Sequence, residues 1–263
     1  MTTALVTGAT AGIGKVFAQR FAARGHDLVL VARNAASLEE VAADLRKRHG
    51  VEVETLRADL CDRQQMDRVA DRLRDAGRPV DILVNNAGFG LAAPFLQGPI
   101  SDEERMLDCL VRAVLVLTRA AVPGMIDRRS GTVITVSSVA GFLPGGTYSA
   151  AKAWATTFTV SLAGQLAGTG VAATVLCPGY VRTEFQQRAG VDVSYLPGWV
   201  WLDAEELVDR CLEDVRRGRM VSVPSLRYKA MVFFLRRFPL RWLKGLAVRR
   251  NRMHAAGNKT GDR

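Results

Sequence analysis

A chain of 263 residues that is 48% hydrophobic and 24% charged has enough apolar material for one large α/β domain and too much for a disordered polymer. Its net charge of +10 is unevenly placed: residues 216–263 hold fourteen Lys or Arg against one acid (+13), residues 1–215 twenty-two against twenty-five (−3). Cys61, Cys109, Cys177 and Cys211 lie too far apart for a disulfide framework or a metal-ligand spacing, and His26, His49 and His254 form no pattern, which leaves free thiols and no metal as the expectation.

The first expected strand is Thr3 to Thr7, followed by Gly8-Ala9-Thr10-Ala11-Gly12-Ile13-Gly14 and a helix with Ile13, Phe17, Phe21 and Ala22 at helical spacing. Strand, glycine turn and helix form a phosphate cradle, because glycines admit the pyrophosphate and the free amides of the helix end face its charge. The spacing is G-x-x-x-G-x-G rather than G-x-G-x-x-G. A strand over 27–32, a helix from Ser37, a strand over 51–56 and a helix from Asp62 come next. The apolar strand 82–84 runs into Asn85-Asn86-Ala87-Gly88, and a long helix covers 101–127. A strand over 132–137 leads to Ser138 and then to a helix bearing Tyr148 and Lys152. The strand 171–176 enters Cys177-Pro178-Gly179-Tyr180-Val181-Arg182-Thr183, a helix near 203–217 is headed by the capping pair Asp203 and Glu206, and a strand covers 220–223. This alternation predicts an α/β fold with a doubly wound, parallel, Rossmann-type sheet over residues 1–224, and a basic amphipathic extension over 225–263. With no apolar run of membrane-spanning length and a first strand beginning almost at Met1, neither a leader nor a membrane span is expected, and the cytoplasm is the expected compartment.

Tyr148 and Lys152 stand four residues apart, on one helix face. A neighbouring ammonium favours phenolate, so Lys152 is expected to draw the Tyr148 pKa down from roughly 10. About 4 kcal/mol of differential interaction, from one close cation and a charged cofactor, brings it near neutrality and makes Tyr148 a general acid or base. Strand alternation puts Ser137 and Ser138 on opposite faces, with Ser138 the expected partner of the substrate oxygen and Ser137 the fallback.

Taken together, Thr7-Gly8…Gly12…Gly14, Asn85 to Gly88, Ser138, Tyr148…Lys152 and Pro178-Gly179 resemble the short-chain dehydrogenase/reductase family, over about residues 2–223. The resemblance implies an NAD(P)-dependent oxidoreductase. It assigns the pyrophosphate to Gly8, Gly12, Ile13 and Gly14, the adenine to Asp59 and Leu60, and the adenosine side and sheet bracing to Asn85, Asn86, Ala87 and Gly88. It assigns the nicotinamide end to Pro178, Gly179, Val181 and Thr183, the nicotinamide ribose to Lys152, and catalysis to Ser138, Tyr148 and Lys152. No carboxylate stands between Val29 and Ser37, whereas Arg33 follows the second strand, so NADP is expected over NAD; Ala11 occupies a turn position where NADP-preferring members often carry a second basic residue.

Two departures stand out. Many members carry a relay Asn in the long helix where this chain has Leu110, which raises the alternative of a cofactor-binding regulatory or scaffold protein with little turnover. The interval from Ser138 to Tyr148 is also a few residues short, to be closed by the glycines of 141–146. The segment 184–202, with Phe185, Tyr195, Leu196, Pro197, Trp199, Val200 and Trp201, together with Phe89, Phe142 and Leu143, predicts an apolar pocket and a lipophilic substrate. Helices around 113–121 and 153–167 carry small and apolar residues on several faces, as a homo-oligomer requires. In the tail, Met231, Phe234, Leu235, Phe238 and Trp242 recur at helical spacing among Arg236, Arg237, Arg241, Lys244, Arg249 and Arg250, with Pro239 breaking the helix. Such a stretch packs on protein or lies peripherally on an anionic membrane; nucleic acid is the least favoured partner because no recognition motif accompanies the charge.

Overall fold

The computed structural model describes residues 2–193 and 195–237. Seven parallel strands form one sheet in the order β3-β2-β1-β4-β5-β6-β7: β1 Thr3–Thr7, β2 Asp27–Ala32, β3 Val53–Arg57, β4 Ile82–Asn85, β5 Gly131–Val136, β6 Val171–Leu176 and β7 Val221–Ser222. The helices are α1 Gly12–Ala22, α2 Ala35–His49, α3 Arg63–Arg74, α4 Ile100–Leu107, α5 Ala113–Asp127, α6 Gly146–Gln165, α7 Phe185–Arg188, α8 Ala204–Arg216 and α9 Leu226–Arg237.

Alternation along the strands builds two cores, one on each face. Ala4, Val6, Leu28, Leu30, Val84 and Ile134 join Phe17 and Phe21 of α1, Leu38 of α2 and Val208 of α8. Leu5, Val29, Val31, Leu83 and Val133 join Met66 and Val69 of α3 and Leu117 and Met125 of α5. Strand order reverses between β1 and β4, so the crevice beyond their carboxyl ends is where such a sheet binds ligands.

Cap chemistry sets several boundaries. Asn34 accepts from the amide of Ser37 at 3.0 Å, so α2 begins at Ala35, two residues before the expected start. Asp62 accepts from the amide of Gln65 at 2.9 Å. Asp203 accepts from Glu205 and Glu206 at 2.9 and 3.0 Å, while the carboxylate of Glu206 pairs with Arg210 instead of closing a capping box. The long helix is α4 and α5 joined through a π-helical turn, Asp108–Arg112. Contrary to expectation, Ile100–Asp127 is apolar and long enough to cross a membrane; half of its most apolar window is buried, and α5 packs on the sheet. None of the four cysteines is in a disulfide. Phe238, Pro239, Arg241, Trp242, Lys244, Arg249 and Arg250 lie outside the described residues.

Candidate active site

The phosphate cradle is shaped by what its glycines exclude. Gly8 and Gly12 have φ of 66° and 50°, the left-handed region that favours glycine. A Cβ on Gly14 would overlap the Gly8 carbonyl oxygen and Nδ2 of Asn86, and one on Gly12 would come 3.1 Å from Cγ2 of Thr183. Ala11, before α1, offers no side-chain cap, and the first turn of α1 carries no acid. These uncapped amides, with no acidic side chain in the first turn of α1, are suited to an anionic pyrophosphate.

The four residues after β4 do unequal work. Asn86 donates to the carbonyls of Thr7 and Gly8 at 2.8 and 3.3 Å, and the amides of Asn86 and Ala87 reach Oγ1 of Thr7 at 2.9 and 3.0 Å. This ties the glycine turn to β4. Asn85 is buried and donates to Oγ1 of Thr118 at 3.0 Å, so its side chain braces α5 and does not line a ligand site. Gly88 marks a close approach, since a Cβ there would meet Cδ2 of Leu110 at 2.7 Å and Nζ of Lys152 at 3.8 Å.

Ser138, Tyr148 and Lys152 come together where β5 ends on α6. Ser138 leaves the strand extended, accepts from the Ala140 amide at 3.1 Å, faces the Pro178 carbonyl at 3.5 Å, and stands close enough to Tyr148 to favour its phenolate. Ser137 points the other way, donating to the Lys152 carbonyl at 2.7 Å and lying 2.8 Å from the hydroxyl of Thr156, so it fastens α6 to the sheet and leaves the oxygen-binding role to Ser138. The short interval closes through a 3₁₀ turn, Val139–Phe142, whose Gly141 rests against the backbone of Lys152 and Ala153 where a Cβ would meet atoms at 2.8 Å.

The electrostatics differ from the sequence expectation. Burial pushes the Tyr148 phenol up to about 12, with the Ser138 hydrogen bond opposing it. Burial also pushes the Lys152 ammonium down to about 8. Lys152 donates to the Val136 carbonyl at 2.8 Å and lies 5.7 Å from the centroid of the Tyr148 ring. In the chain itself, desolvation therefore outweighs any lowering of the phenol by the lysine. The arrangement is a proton donor beside a hydroxyl, with a buried cation below them.

The model for the short chain dehydrogenase family matches residues 2–193. The chain is 38% identical over 186 residues to sulfoacetaldehyde reductase 2 of Chromohalobacter salexigens, covering 69% of this chain and 73% of that protein. The solved short-chain dehydrogenase of Sphingobium yanoikuyae in complex with NADPH is 35% identical with a TM-score of 0.82, covering 97% of this chain and 95% of the other. The bulky-bulky ketone specific alcohol dehydrogenase of Comamonas testosteroni is 30% identical with a TM-score of 0.78, covering 97% and 94%.

This chain belongs to the short-chain dehydrogenase family.

As a member of that family it is an oxidoreductase, and its remaining site features are its own. Leu110 lies in the π-helical turn and is buried with Met106 and Ala151, with Phe89, Leu91 and Tyr148 packed against them. An apolar wall stands at Gly88 in place of a relay amide, and Lys152 donates its hydrogen bond to the Val136 carbonyl of β5.

At the adenosine end Arg33 is exposed, and Nε of Arg57 donates to its carbonyl at 3.2 Å. Register places Arg57 opposite Ala32, giving a second cation that was not evident from sequence separation. Asp59 is engaged with the Cys61 amide at 3.0 Å and Arg105 at 3.1 Å. Burial raises its carboxyl pKa, but these donors hold it below the ordinary value. Leu60 is buried in the core, which leaves its backbone as what it can offer an adenine.

At the other end, Val139 donates to the Pro178 carbonyl at 2.9 Å, and Val181 bridges to Leu202. The ring of Tyr228 fills the space where Gly179 would carry a Cβ; its hydroxyl accepts from the Tyr180 amide at 3.2 Å and donates to the Val200 carbonyl at 2.8 Å. Sequence reasoning missed Tyr228, since nothing local links it to a turn 48 residues away. Of the expected lid aromatics, Phe185 lies 6.0 Å from Tyr148 between ring centroids. Tyr195 and Trp199 are 73% and 66% exposed, so they do not line a pocket. A loop has no periodicity from which the facing could be read.

Proposed function

We propose that the protein is an NADP-preferring carbonyl reductase or alcohol dehydrogenase acting on a lipophilic substrate. The observation that carries this reading is the convergence of Ser138, Tyr148 and buried Lys152 at the strand ends beside a glycine cradle, with Lys152 Nζ 5.7 Å from the Tyr148 ring. The cradle fits a dinucleotide: Gly8, Gly12, Ile13 and Gly14 would receive the pyrophosphate, and Pro178, Gly179, Val181 and Thr183 the nicotinamide end. Bound there, the nicotinamide supplies or accepts the hydride. Arg33, joined by Arg57, would receive a 2′-phosphate, in keeping with the NADPH named for the Sphingobium structure.

In reduction Tyr148 donates its proton to the carbonyl oxygen, and in the reverse direction it takes that proton back. Ser138 donates a hydrogen bond to that same oxygen. Lys152 supplies the buried positive charge and a donor for a ribose hydroxyl. The apolar surroundings of Tyr148, from Phe89, Leu91, Leu110 and Phe185, favour a bulky apolar carbonyl compound, as in the name of the Comamonas enzyme. Sulfoacetaldehyde, in the name of the Chromohalobacter relative, is small and anionic, unlike the compound that this apolar wall suits.

Tyr148→Phe is expected to retain cofactor affinity and lose about 10²- to 10⁴-fold in turnover on a panel of hydrophobic ketones and aldehydes. An unchanged rate would overturn the mechanism. Activity confined to small polar sugars would overturn the substrate class. Tight cofactor binding with no turnover anywhere on the panel would favour the regulatory alternative. Assembly is proposed as a homo-oligomer through α5 and α6, where Leu115 is 46% exposed and Trp154 stacks on Phe158 at 4.8 Å. A monomer by light scattering at micromolar concentration would dismiss it.

A further inference from the structure

Helix α9 is tied to the body by one face and leaves an apolar face outside. Tyr228 and Val232 are buried at 8% and 7% exposure, against Val175, Cys177 and Val223 of the same cluster. At 3.6 residues per turn, Leu226 and Phe233 stand on the opposite side with Phe234 on their flank. Their exposures are 79%, 64% and 56%, and the two phenylalanine rings meet edge to face at 5.9 Å. Arg227 and Lys229 are exposed along the margins of that strip, exposed Arg237 closes its C-terminal end, and α9 contains no acid. Beside it, the guanidinium of Arg227 lies 5.9 Å from the ring of Trp199, which projects into solvent from the lid.

We propose that this outward face of α9, together with Trp199, seats the protein on an anionic lipid bilayer. Aromatic and aliphatic side chains in the centre, cations at the edges and an indole alongside match the demands of the headgroup boundary, where rings enter the acyl region and cations remain with phosphates. Charge favours this occupant. Residues 238–263 hold seven Lys or Arg against Asp262, a net charge of the same sign as the cations edging the strip. A bilayer of negative surface potential attracts both the strip and the tail. Tyr228, on the opposite side of the same helix, grips Val200 and Tyr180, so the seated helix is rigidly joined to the lid. The proposal concerns attachment and stands or falls separately from the substrate reading.

The test is co-sedimentation of the full chain with phosphatidylcholine vesicles, with and without phosphatidylserine. Binding is expected with phosphatidylserine, weaker as salt rises, and reduced by about tenfold or more in Phe233→Ser/Phe234→Ser through loss of two inserted rings. Truncation after Ser225 is the poorer variant because it also removes Tyr228 from the lid. Should the double serine variant lose its melting transition, Arg227→Glu/Lys229→Glu, which alters only exposed side chains, is expected to weaken binding likewise. No sedimentation with phosphatidylserine would overturn the proposal. So would vesicle binding indifferent to the ring substitutions, the mark of the non-specific charge that any polyanion, nucleic acid included, would satisfy. A wild-type dimer in solution that the serine variant dissociates would assign the strip to a second copy and overturn it equally.

Discussion

The two ends of the site are built by opposite means. At the phosphate end, the absence of side chains on the turn is what matters: Gly8, Gly12 and Gly14 let it close on Asn86 and Thr183, and Thr7 is tied to β4 through its hydroxyl. At the nicotinamide end, a turn, a lid strand and α9 converge on one side chain, Tyr228. Close packing at Gly8 and Gly14 leaves no room for a Cβ and so no slack. A side-chain clamp joins distant segments and is the more readily loosened.

The strongest way to break this contrast is Gly14→Ala. The new Cβ has only a carbonyl oxygen and a braced amide to displace, so a loss of about 2–4 kcal/mol in stability is expected, with cofactor affinity falling alongside. Gly164→Ala in α6 is the control: nothing lies within 4 Å, and a gain of about 0.5–1 kcal/mol is expected in thermal melts. If both behaved alike, close packing would not be what the cradle glycines serve. Tyr228→Phe comes next, leaving the Val200 carbonyl and Tyr180 amide without their partner at a cost of about 1–3 kcal/mol. The expected signature is a KM increase larger than the kcat decrease, from a lid held less firmly; an unchanged KM would remove Tyr228 from the comparison.

Arg33→Ala is expected to lower NADPH affinity about five- to tenfold while sparing NADH, and Arg57→Ala to do so less, both read by nicotinamide fluorescence. Equal effects on the two cofactors would sink the assignment of these cations. The smallest effect is a pH slope. Lys152 has a folded pKa of about 8, below its ordinary value of 10.5, so above pH 8 the unfolded chain holds more protons than the folded one. The lysine therefore contributes about 1 kcal/mol of added stability to the cofactor-free chain from pH 8 to 9, offset in part over the same interval by the raised thiols of Cys61 and Cys211, whose ordinary value is 9.0, and above it by Tyr148. Lys152→Met is expected to flatten that increment in urea titrations; an identical slope in both proteins would show that the lysine titrates normally.

Legibility followed range. The parity of Ser137 and Ser138 was readable because side chains alternate along a strand, and each serine went to the expected face. Asp62 and Asp203 announced their helices because capping is settled within three residues. By contrast, Asn85 and Asn86 look alike in the sequence, and only the position of Thr118 on α5 and of the glycine turn separates bracing from turn-holding. Arg57 became a neighbour of Arg33 through β2–β3 register. The Tyr148 pKa was misjudged because sequence spacing supplies the lysine but not the extent of burial, and burial proved larger.

By itself, then, the amino-acid order determined the alternating elements, the parallel sheet they require, the cradle, and the grouping of Ser138, Tyr148 and Lys152, since periodicity, glycine sterics and helix spacing act over a few residues. Tertiary structure alone decided which lid aromatics face inward, that Leu110 walls off Gly88, and that Tyr228 reaches from α9 to Gly179. These depend on contacts between segments far apart in the chain, and no short-range rule of backbone or side-chain chemistry encodes which of them meet.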